Sequence, residues 1–354
     1  MSERNFREKP SLTTRSLSPE IQETPLEFIQ SDTMNNYQFF RRNHFAYPAL
    51  NQANYRLIFG GLIKQPLTLS VQDLYRFPAR TLKVALECAG NKRGLFEPKT
   101  YGEQWGKGAI SQGYWRGVSL AHILEHTGMS SHAKEIVVKG YDHGVRKGSD
   151  RNESYARSLP LEKALHVDTI IAYEYNGQPL SYKHGYPLRL IVPGWYAMAS
   201  VKWVRQISVI GTKFKGPFQT KDYMYYPNTE TDEGAFPVTV QNVNSTIQSP
   251  LDMEELSGRR QYIRGIAWTG QGNITCVEVS LDGGISWREA DFHSSGSAYE
   301  WVTWKLEWNP GRAGEFLILS RATDSTGRTQ ERKAFWNRMG YGYNAMDQVR
   351  VHIV

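Results

Sequence analysis

The C-terminal third of the chain alternates apolar and polar residues with a period of two. In the run 301–308, WVTWKLEW, every second residue from Val302 to Trp308 is apolar and the residues between them are polar. The run 276–287, CVEVSLDGGISW, alternates in the same way before an Asp-Gly-Gly turn. Alternation predicts strands with one buried face, and Asp-Gly is a strong hairpin signal. Short strands at regular spacing predict an immunoglobulin-like β-sandwich over residues 236–354.

Between residues 37 and 235, short apolar runs alternate with helical patches. A helix is predicted to begin after Ser119 and to end before Gly128, because Leu120, Ile123 and Leu124 share one helical face. Strands are predicted at the apolar runs 55–62, 81–86, 135–140 and 188–194. The fold class is therefore α+β, with a mixed α/β domain followed by the sandwich.

The first 36 residues differ from the rest. They are polar, rich in Ser, Thr, Glu and Pro, and have no apolar periodicity. This composition predicts a flexible N-terminal arm.

Charge and composition limit the kinds of partner that the protein is expected to bind. Lys and Arg number 42 and Asp and Glu 35, a net charge of +7 that attracts anions. The basic residues are dispersed and form no nucleic-acid-binding signature, so we expect no nucleic acid partner. No apolar stretch reaches membrane-spanning length and no export signal is visible. We expect a cytoplasmic protein without a membrane partner, or a periplasmic one if a leader was removed.

Two cysteines, Cys88 and Cys276, are too few for a disulfide framework or a cage of Cys pairs around a metal. Cys88 lies in ECAGNKR, where Lys92 and Arg93 favour a thiolate. A thiolate at this position is a nucleophile or a metal ligand, and a lone cysteine is also commonly a small buried apolar residue. The residues alone leave these alternatives open. Walker A, Gly-x-Gly-x-x-Gly and Cys-x-x-Cys-His motifs are absent, which disfavours nucleotide enzymes and c-type haem proteins.

Three segments rich in Gly, Asn and cations stand out: FFRRNHFAYP (39–48), the region 87–118 that begins ECAGNKRG, and the region 172–203 that contains KHGYPLR. In this order they resemble the sulfite oxidase family of molybdopterin-dependent oxidoreductases, of the prokaryotic type without a haem domain. The resemblance runs from about residue 38 to the C-terminus. It implies that Cys88 is the protein thiolate on a molybdenum held otherwise by the dithiolene of molybdopterin. It also implies that the sandwich forms a homodimer.

The resemblance assigns further residues by local motif. Those assigned to the cofactor are Phe40, Arg41, Arg42, Asn43, His44, Asp142, His184, Arg189, Ser200, Val201 and Lys202. Those assigned to the substrate are Arg42, Arg93, Trp105 and Tyr223, and guanidinium groups suit the oxygens of an anion. The chain departs from the animal and plant pattern at two positions. Tyr101 replaces a lysine, and Met339 replaces an arginine, with Arg338 one position away.

The resemblance implies oxygen-atom transfer to sulfite to give sulfate, with the electrons passed to an external acceptor, a cytochrome or dioxygen. No haem-binding domain is expected. An alternative at the same molybdenum site is reduction of nitrate, of another small oxyanion or of an S- or N-oxide. A cofactor-free enzyme with Cys88 as nucleophile and His44 or His184 as base is a third hypothesis. A non-catalytic scaffold whose sandwich binds partners is a fourth.

Overall fold

The computed structural model describes residues 11–29, 32–294 and 296–354. Its first sheet joins the N-terminal segment to the chain that follows. Strand β1 (Thr13–Leu17) pairs with β2 (Glu20–Glu23), and β2 pairs with β3 (Arg41–Arg42), both antiparallel. The N-terminal segment therefore lies directly against the Arg-Arg-Asn-His motif.

The prediction that residues 1–36 form a flexible arm is wrong for the described part of that segment; residues 1–10, 30 and 31 lie outside the described residues. Ile21, Ile29 and Met34 are buried. The Thr24 amide donates to Gly108 O at 3.1 Å, and the Met34 amide donates to Gln112 O at 2.8 Å. The apolar side chains are too sparse to show a period, but each packs in an apolar cluster with residues from later in the chain.

The cavity domain, taken as residues 37–235, contains two larger sheets. Its strands after β3 are β4 (Leu57–Gly61), β5 (Leu67–Leu69), β6 (Ala79–Glu87), β7 (Ile110–Ser119), β8 (Glu135–Val145), β9 (Asn152–Pro160), β10 (Ile170–Tyr175), β11 (Gln178–Pro179), β12 (Arg189–Ile191), β13 (Val204–Ile210) and β14 (Met224–Tyr225). One sheet has the order β11-β10-β7-β6, with β12 also pairing with β10, and the other has the order β5-β4-β13-β8-β9. Strand β14 pairs with β15 (Phe236–Pro237).

The helices are short and lie between the strands. They are α1 (Val71–Leu74), α2 (Leu120–Glu125), α3 (Leu161–Ala164) and α4 (Pro217–Thr220). The helix predicted after Ser119 is confirmed as α2, and its three apolar side chains are buried as the shared face requires. Among the described residues, no helix is both long and apolar enough to cross a membrane.

The sandwich, residues 236–354, consists of two sheets around one core. Its strands are β16 (Asn244–Ser249), β17 (Glu254–Leu256), β18 (Gln261–Trp268), β19 (Ile274–Ser280), β20 (Arg288–Glu289), β21 (Asp291–His293), β22 (Val302–Trp308), β23 (Gly314–Asp324) and β24 (Asp347–Ile353). The sheet orders are β16-β18-β22-β21 and β17-β24-β23-β19-β20. Residues alternate between buried and exposed along β22, as the sequence pattern predicts. The α+β fold with a C-terminal sandwich is confirmed.

Candidate active site

A cavity of about 630 Å³, which includes its opening to solvent, lies where several strands and loops of the cavity domain converge. The residues that line it come from segments far apart in sequence. They are Phe39, Phe40, Arg41, Arg42, Asn43, His44, Cys88, Ala89, Asp142, Tyr155, His184, Arg189, Ala197, Met198, Ser200, Lys202 and Tyr223. The fold thus brings most of the residues assigned from the sequence together around one cavity.

Cys88 is placed by the end of a buried strand. Its amide extends the β6–β7 ladder by donating to Ala109 O at 2.9 Å, and only 7% of the residue is exposed. Beyond it the backbone turns sharply, with Lys92 in the left-handed region at φ 63°. A Cβ at Gly90 would lie 2.7 Å from Nη1 of Arg93, so any side chain there would displace the guanidinium that folds back over the loop.

The N-terminal segment supports the Arg-Arg-Asn-His motif, which also lines the cavity. Glu20 forms ion pairs with Arg41 at 3.0 Å and with Lys183 at 2.9 Å. Asn43 Nδ2 donates to Glu20 O at 2.9 Å. The strand β2 therefore fixes the motif by side chain and by backbone, a role that its polar sequence did not reveal.

The charges around the cavity are unbalanced. Within the described residues, no carboxylate oxygen lies within 4.0 Å of a side-chain nitrogen of Arg42, Arg93, Arg157, Arg189 or Lys202. Asp142 is the acid among the residues that line the cavity, and its Oδ1 is buried without a hydrogen-bond partner. Burial raises the pKa of Asp142 to about 7, although Lys202 opposes the shift. A bound anion would stabilise these desolvated cations, which lack counter-ions.

His44 and Tyr223 form a hydrogen bond of 2.9 Å between Nε2 and the phenol oxygen. Burial, and after it the nearby Arg42, lowers the pKa of His44 well below its usual value, so the ring is neutral at physiological pH. Arg42 Nη2 lies 3.4 Å from Nδ1 and can only donate, which places the histidine proton on Nε2. The Tyr223 oxygen accepts that proton's hydrogen bond, and its own O–H remains free to donate into the cavity.

His184 and Arg189 also line the cavity. His184 Nε2 donates to Asn36 O at 3.1 Å, and burial lowers the pKa of the ring well below its usual value. Arg189 is held by the carbonyl oxygens of His184 and Ser200 at 3.2 Å and 3.3 Å. Burial also lowers its pKa, to about 9. Both side chains are therefore positioned by backbone carbonyls rather than by acids.

Three assigned residues do not reach the wall. Trp105 is fully buried, with its ring edge-on to Phe40 at 6.4 Å between centroids. Val201 packs in the core of the domain. Arg93 is buried behind the wall, where Nε donates to Met339 O at 2.9 Å and its guanidinium lies 4.8 Å from the centroid of the Tyr341 ring.

Tyr155 and Arg157 belong to no recognisable sequence motif. Tyr155 lines the cavity and stacks on His44 with centroids 4.9 Å apart. Arg157, two residues later on β9, lies over the Tyr223 ring at 5.4 Å. The period of a strand places Tyr155 and Arg157 on one face, which is the signal that could have linked them.

Lys92, which had no predicted role, joins the Cys88 loop to the sandwich. It is fully buried, and its Nζ donates to Asn244 Oδ1 at 2.7 Å and to Ser245 O at 2.8 Å. Glu87 is tied to the same domain, since Trp268 Nε1 donates to its Oε2 at 2.9 Å. The loop that presents the thiol is thus clamped by the second domain.

The two departures from the family pattern lie in different surroundings. Tyr101 is 74% exposed. Met339 is partly buried and packs against the main core. Arg338 forms an ion pair with Asp232, and its guanidinium lies 4.5 Å from the centroid of the Tyr226 ring. Arg338 is therefore engaged elsewhere and does not take the place of the missing arginine.

Comparisons with known proteins agree with this geometry. The model of the oxidoreductase molybdopterin binding domain matches residues 44–218, and that of the Mo-co oxidoreductase dimerisation domain matches residues 236–354. Mitochondrial sulfite oxidase of Rattus norvegicus is 32% identical over 98% of this chain. The chain belongs to the sulfite oxidase family of molybdopterin-dependent oxidoreductases. It spans 66% of the length of that relative.

Two further members of the family broaden the comparison. NADH nitrate reductase of Ulva prolifera is 32% identical over 88% of this chain and 39% of its own length. The crystal structure of the sulfane dehydrogenase SoxCD from Paracoccus pantotrophus superposes with a TM-score of 0.81 and 28% identity, covering 98% of this chain and 86% of that one. Members that are similar to this chain therefore carry names for different substrates.

The cavity fits the family's cofactor. Among the described residues, no group of three or more His, Cys, Asp or Glu side chains could hold a metal ion. A metal at Cys88 would need its other ligands from an organic group, as a dithiolene supplies. The unpartnered Asp142 oxygen suits a pterin N–H, and Arg189 and Lys202 suit a phosphate. A Cβ at Gly140 would lie 2.3 Å from Asp142 Oδ1 and 2.9 Å from Lys202 O, so a side chain at this position would displace the carboxyl group.

The thiol does not have the surroundings of a cofactor-free nucleophile. No hydrogen bond joins Cys88 Sγ to His44 or His184, all of which lie in the described part of the chain. Burial raises the pKa of Cys88 even though Arg42 and Arg93 oppose the shift. Without a bound metal the sulfur is a thiol, and both candidate bases are committed to other groups.

Proposed function

We propose that the protein is a molybdenum enzyme that oxidises sulfite to sulfate and passes two electrons to an external acceptor. One observation carries the proposal. The buried thiol of Cys88 lines a cavity together with Arg42, Arg189 and Lys202, and Arg93 and Arg157 are buried behind its wall. Among the described residues, none of these cations is paired with an acid. A metal ligand beside uncompensated positive charge suits oxygen-atom chemistry on a small anion.

Molybdopterin with molybdenum, when bound, would supply oxygen-atom transfer and the storage of two electrons. The residues of this chain do the rest. Cys88 would hold the metal, with its position fixed by the β6–β7 ladder and by the clamp at Lys92. Arg42 would draw the anion to the metal. Neutral His44 orients Tyr223, whose free O–H would donate to an oxygen of the substrate and hold it for the reaction.

The test compares opposite reactions on one preparation of cofactor-loaded protein. We expect steady-state oxidation of sulfite with ferricyanide as acceptor, and a much slower reduction of nitrate with a reduced viologen dye. Elemental analysis is expected to find about one molybdenum per chain. Nitrate reduction that is faster than sulfite oxidation would reverse the assignment. If protein from cells that make the cofactor contains no molybdenum, the assignment as a molybdenum enzyme is wrong.

Sulfane sulfur is a second candidate substrate. It is favoured by the similarity to SoxCD, which extends over 98% of this chain, and by Met339, an uncharged residue where the animal and plant enzymes have an arginine. Thiosulfate and a protein-bound persulfide, assayed beside sulfite with the same acceptor, separate these substrates. The higher kcat/KM identifies the better one.

We also propose that the sandwich forms a homodimer, because residues 236–354 match the dimerisation domain of the family. Light scattering after size-exclusion chromatography is expected to give a mass of twice the 40.5 kDa chain. A single mass of one chain at micromolar concentration would contradict this.

A further inference from the structure

Arg157 is a buried cation to which the family pattern assigns no role. Only 1% of the residue is exposed. Nη1 donates to the carbonyl oxygen of Phe218, while Nε and Nη2 are buried without any hydrogen-bond partner. Leaving two donors of a charged group unsatisfied is costly, so a buried guanidinium in this state indicates a partner that binds there.

Arg157 lies behind the cavity wall and packs against Tyr223, which lines the cavity. Its guanidinium lies 5.4 Å from the centroid of the Tyr223 ring, whose oxygen is bonded to His44. Tyr155, on the same face of β9, stacks on that histidine. Phe218, whose carbonyl oxygen holds Arg157, packs 4.7 Å from the His44 ring between centroids. Arg157 is therefore part of the aromatic cluster that carries the substrate-side residues.

The guanidinium of Arg93 contacts the same cluster through Tyr341. Tyr341 stacks on Tyr223 with centroids 5.3 Å apart, and Arg93 lies over Tyr341 at 4.8 Å. Arg93 and Arg157 thus each cover one ring of a stacked tyrosine pair. Stacking on aromatic faces holds a guanidinium in a fixed plane, which is the geometry that forked recognition of oxygens requires.

Met339 is uncharged, whereas the animal and plant enzymes have an arginine at this position. Arg157, on another strand, provides a positive charge instead. Arg338 is bound to Asp232 and Tyr226 and lies outside this cluster. Arg157 has no carboxylate within 4.0 Å among the described residues, and it comes from β9 rather than from the C-terminal segment. A guanidinium from another segment can restore the positive potential at the site without restoring the sequence motif.

We propose that Arg157 is an oxyanion-binding residue of the active site, which donates Nε–H and Nη2–H to the substrate and replaces the arginine that is absent at Met339. The proposal rests on the proposed function, since it places the substrate anion in that same site. It commits the site to a small anion with at least two oxygens, such as sulfite, sulfate or thiosulfate.

The test is the affinity of the cofactor-loaded protein for sulfate, measured by titration calorimetry at constant ionic strength set with sodium chloride. Arg157→Met removes the charge at similar length. We expect the Kd for sulfate to rise about ten- to hundredfold, the range for losing hydrogen bonds to a charged group. Arg157→Lys keeps the charge but not the fork, and a smaller rise is expected. Arg338→Met is the matched control and leaves the Kd within about twofold.

Steady-state kinetics with sulfite supply the second measurement. Arg157→Met is expected to raise KM more than it lowers kcat, because uniform binding of the anion is lost, and its molybdenum content is expected to equal that of the wild type. Should Arg157→Met not fold, Arg157→Gln keeps a donor for Phe218 O and is expected to show the same rise in Kd and KM.

The outcomes separate the two proposals. Unchanged Kd and KM in a folded, molybdenum-loaded Arg157 variant overturn the role of Arg157, as does an equal loss in Arg338→Met or a wild type that does not bind sulfate. A wild type that binds sulfate through Arg157 but does not oxidise sulfite overturns the proposed function and leaves the oxyanion site in place.

Discussion

The cavity domain and the sandwich bury charged side chains in different surroundings. In the sandwich, Asp324 accepts hydrogen bonds from Thr269 and Thr326 and forms an ion pair of 2.9 Å with Arg328. In the cavity domain, Arg157 and Arg189 have no acid within reach among the described residues. Paired charges hold a fold together, whereas unpaired buried cations weaken it unless a ligand completes them. The unpaired buried cations therefore mark the cavity domain as the functional region, independently of any sequence motif.

The two cysteines offer the largest test of this contrast. Cys88→Ser is expected to abolish turnover, by at least about a thousandfold, because a hydroxyl is a poor ligand for a metal that selects thiolate. Cys276 lies on a partly exposed strand of the sandwich, and Cys276→Ser is expected to leave turnover unchanged. Turnover with a standard acceptor and the molybdenum content are the measurements. Full activity of Cys88→Ser would refute the metal-ligand role.

The clamp between the domains is the next test. Lys92→Met keeps the length of the side chain but removes both bonds to the sandwich, at Asn244 and Ser245. We expect the free energy of unfolding to fall by about 2–3 kcal/mol, since charged hydrogen bonds in a buried site are lost. Chemical denaturation measures it. Lys99→Met, at an exposed position on the same loop, is the control and is expected to change stability by less than about 0.5 kcal/mol.

The hydrogen bond between His44 and Tyr223 tests the substrate side. Tyr223→Phe retains the ring and its packing but removes the free O–H. We expect kcat/KM to fall about tenfold to hundredfold, with little change in molybdenum content. Tyr225→Phe, two residues along the chain, is the comparison, and it is expected to retain most activity because Tyr225 lies outside the cavity. Equal losses in both variants would mean that Tyr223 acts only through packing.

The pH dependence of stability tests the buried acid of the cavity. Burial raises the pKa of Asp142 from 3.8 to about 7, so its contribution to stability is fully present below pH 3.8 and is lost as the pH rises toward 7. Relative to Asp142→Asn, cofactor-free wild type is expected to lose up to about 1.4 kcal/mol per pH unit over pH 4–7. Denaturation at several pH values measures this, and a difference that is flat with pH would contradict the shift.

The acid in the sandwich is expected to behave in the opposite sense. Although burial acts to raise the pKa of Asp324, hydrogen bonds from Thr326 and Thr269 lower it overall. Its contribution is present above pH 3.8 and is lost as the pH falls through the lower folded value. Asp324→Asn therefore differs from wild type by an amount that is constant between pH 5 and 8, which makes it the control for Asp142.

Much of the fold could be predicted from local patterns. The alternation in 301–308 predicts β22, and the face formed by Leu120, Ile123 and Leu124 predicts α2. These elements follow because burial on one side imposes a period on the sequence. The N-terminal prediction failed because Ile21, Ile29 and Met34 are buried by contacts with distant segments, which impose no period.

The sequence by itself determined the alternating strands of the sandwich, the position of Cys88 after a buried strand, and the motif residues that resemble one family. Only the tertiary structure decided that Trp105 packs inside the core, that Lys92 clamps two domains, and that Arg157 has unsatisfied donors beside Tyr223. The physical reason is that burial and pairing depend on side chains far away in sequence. Whether a cation is neutralised is decided by what the fold places beside it, and local sequence carries no record of that neighbour.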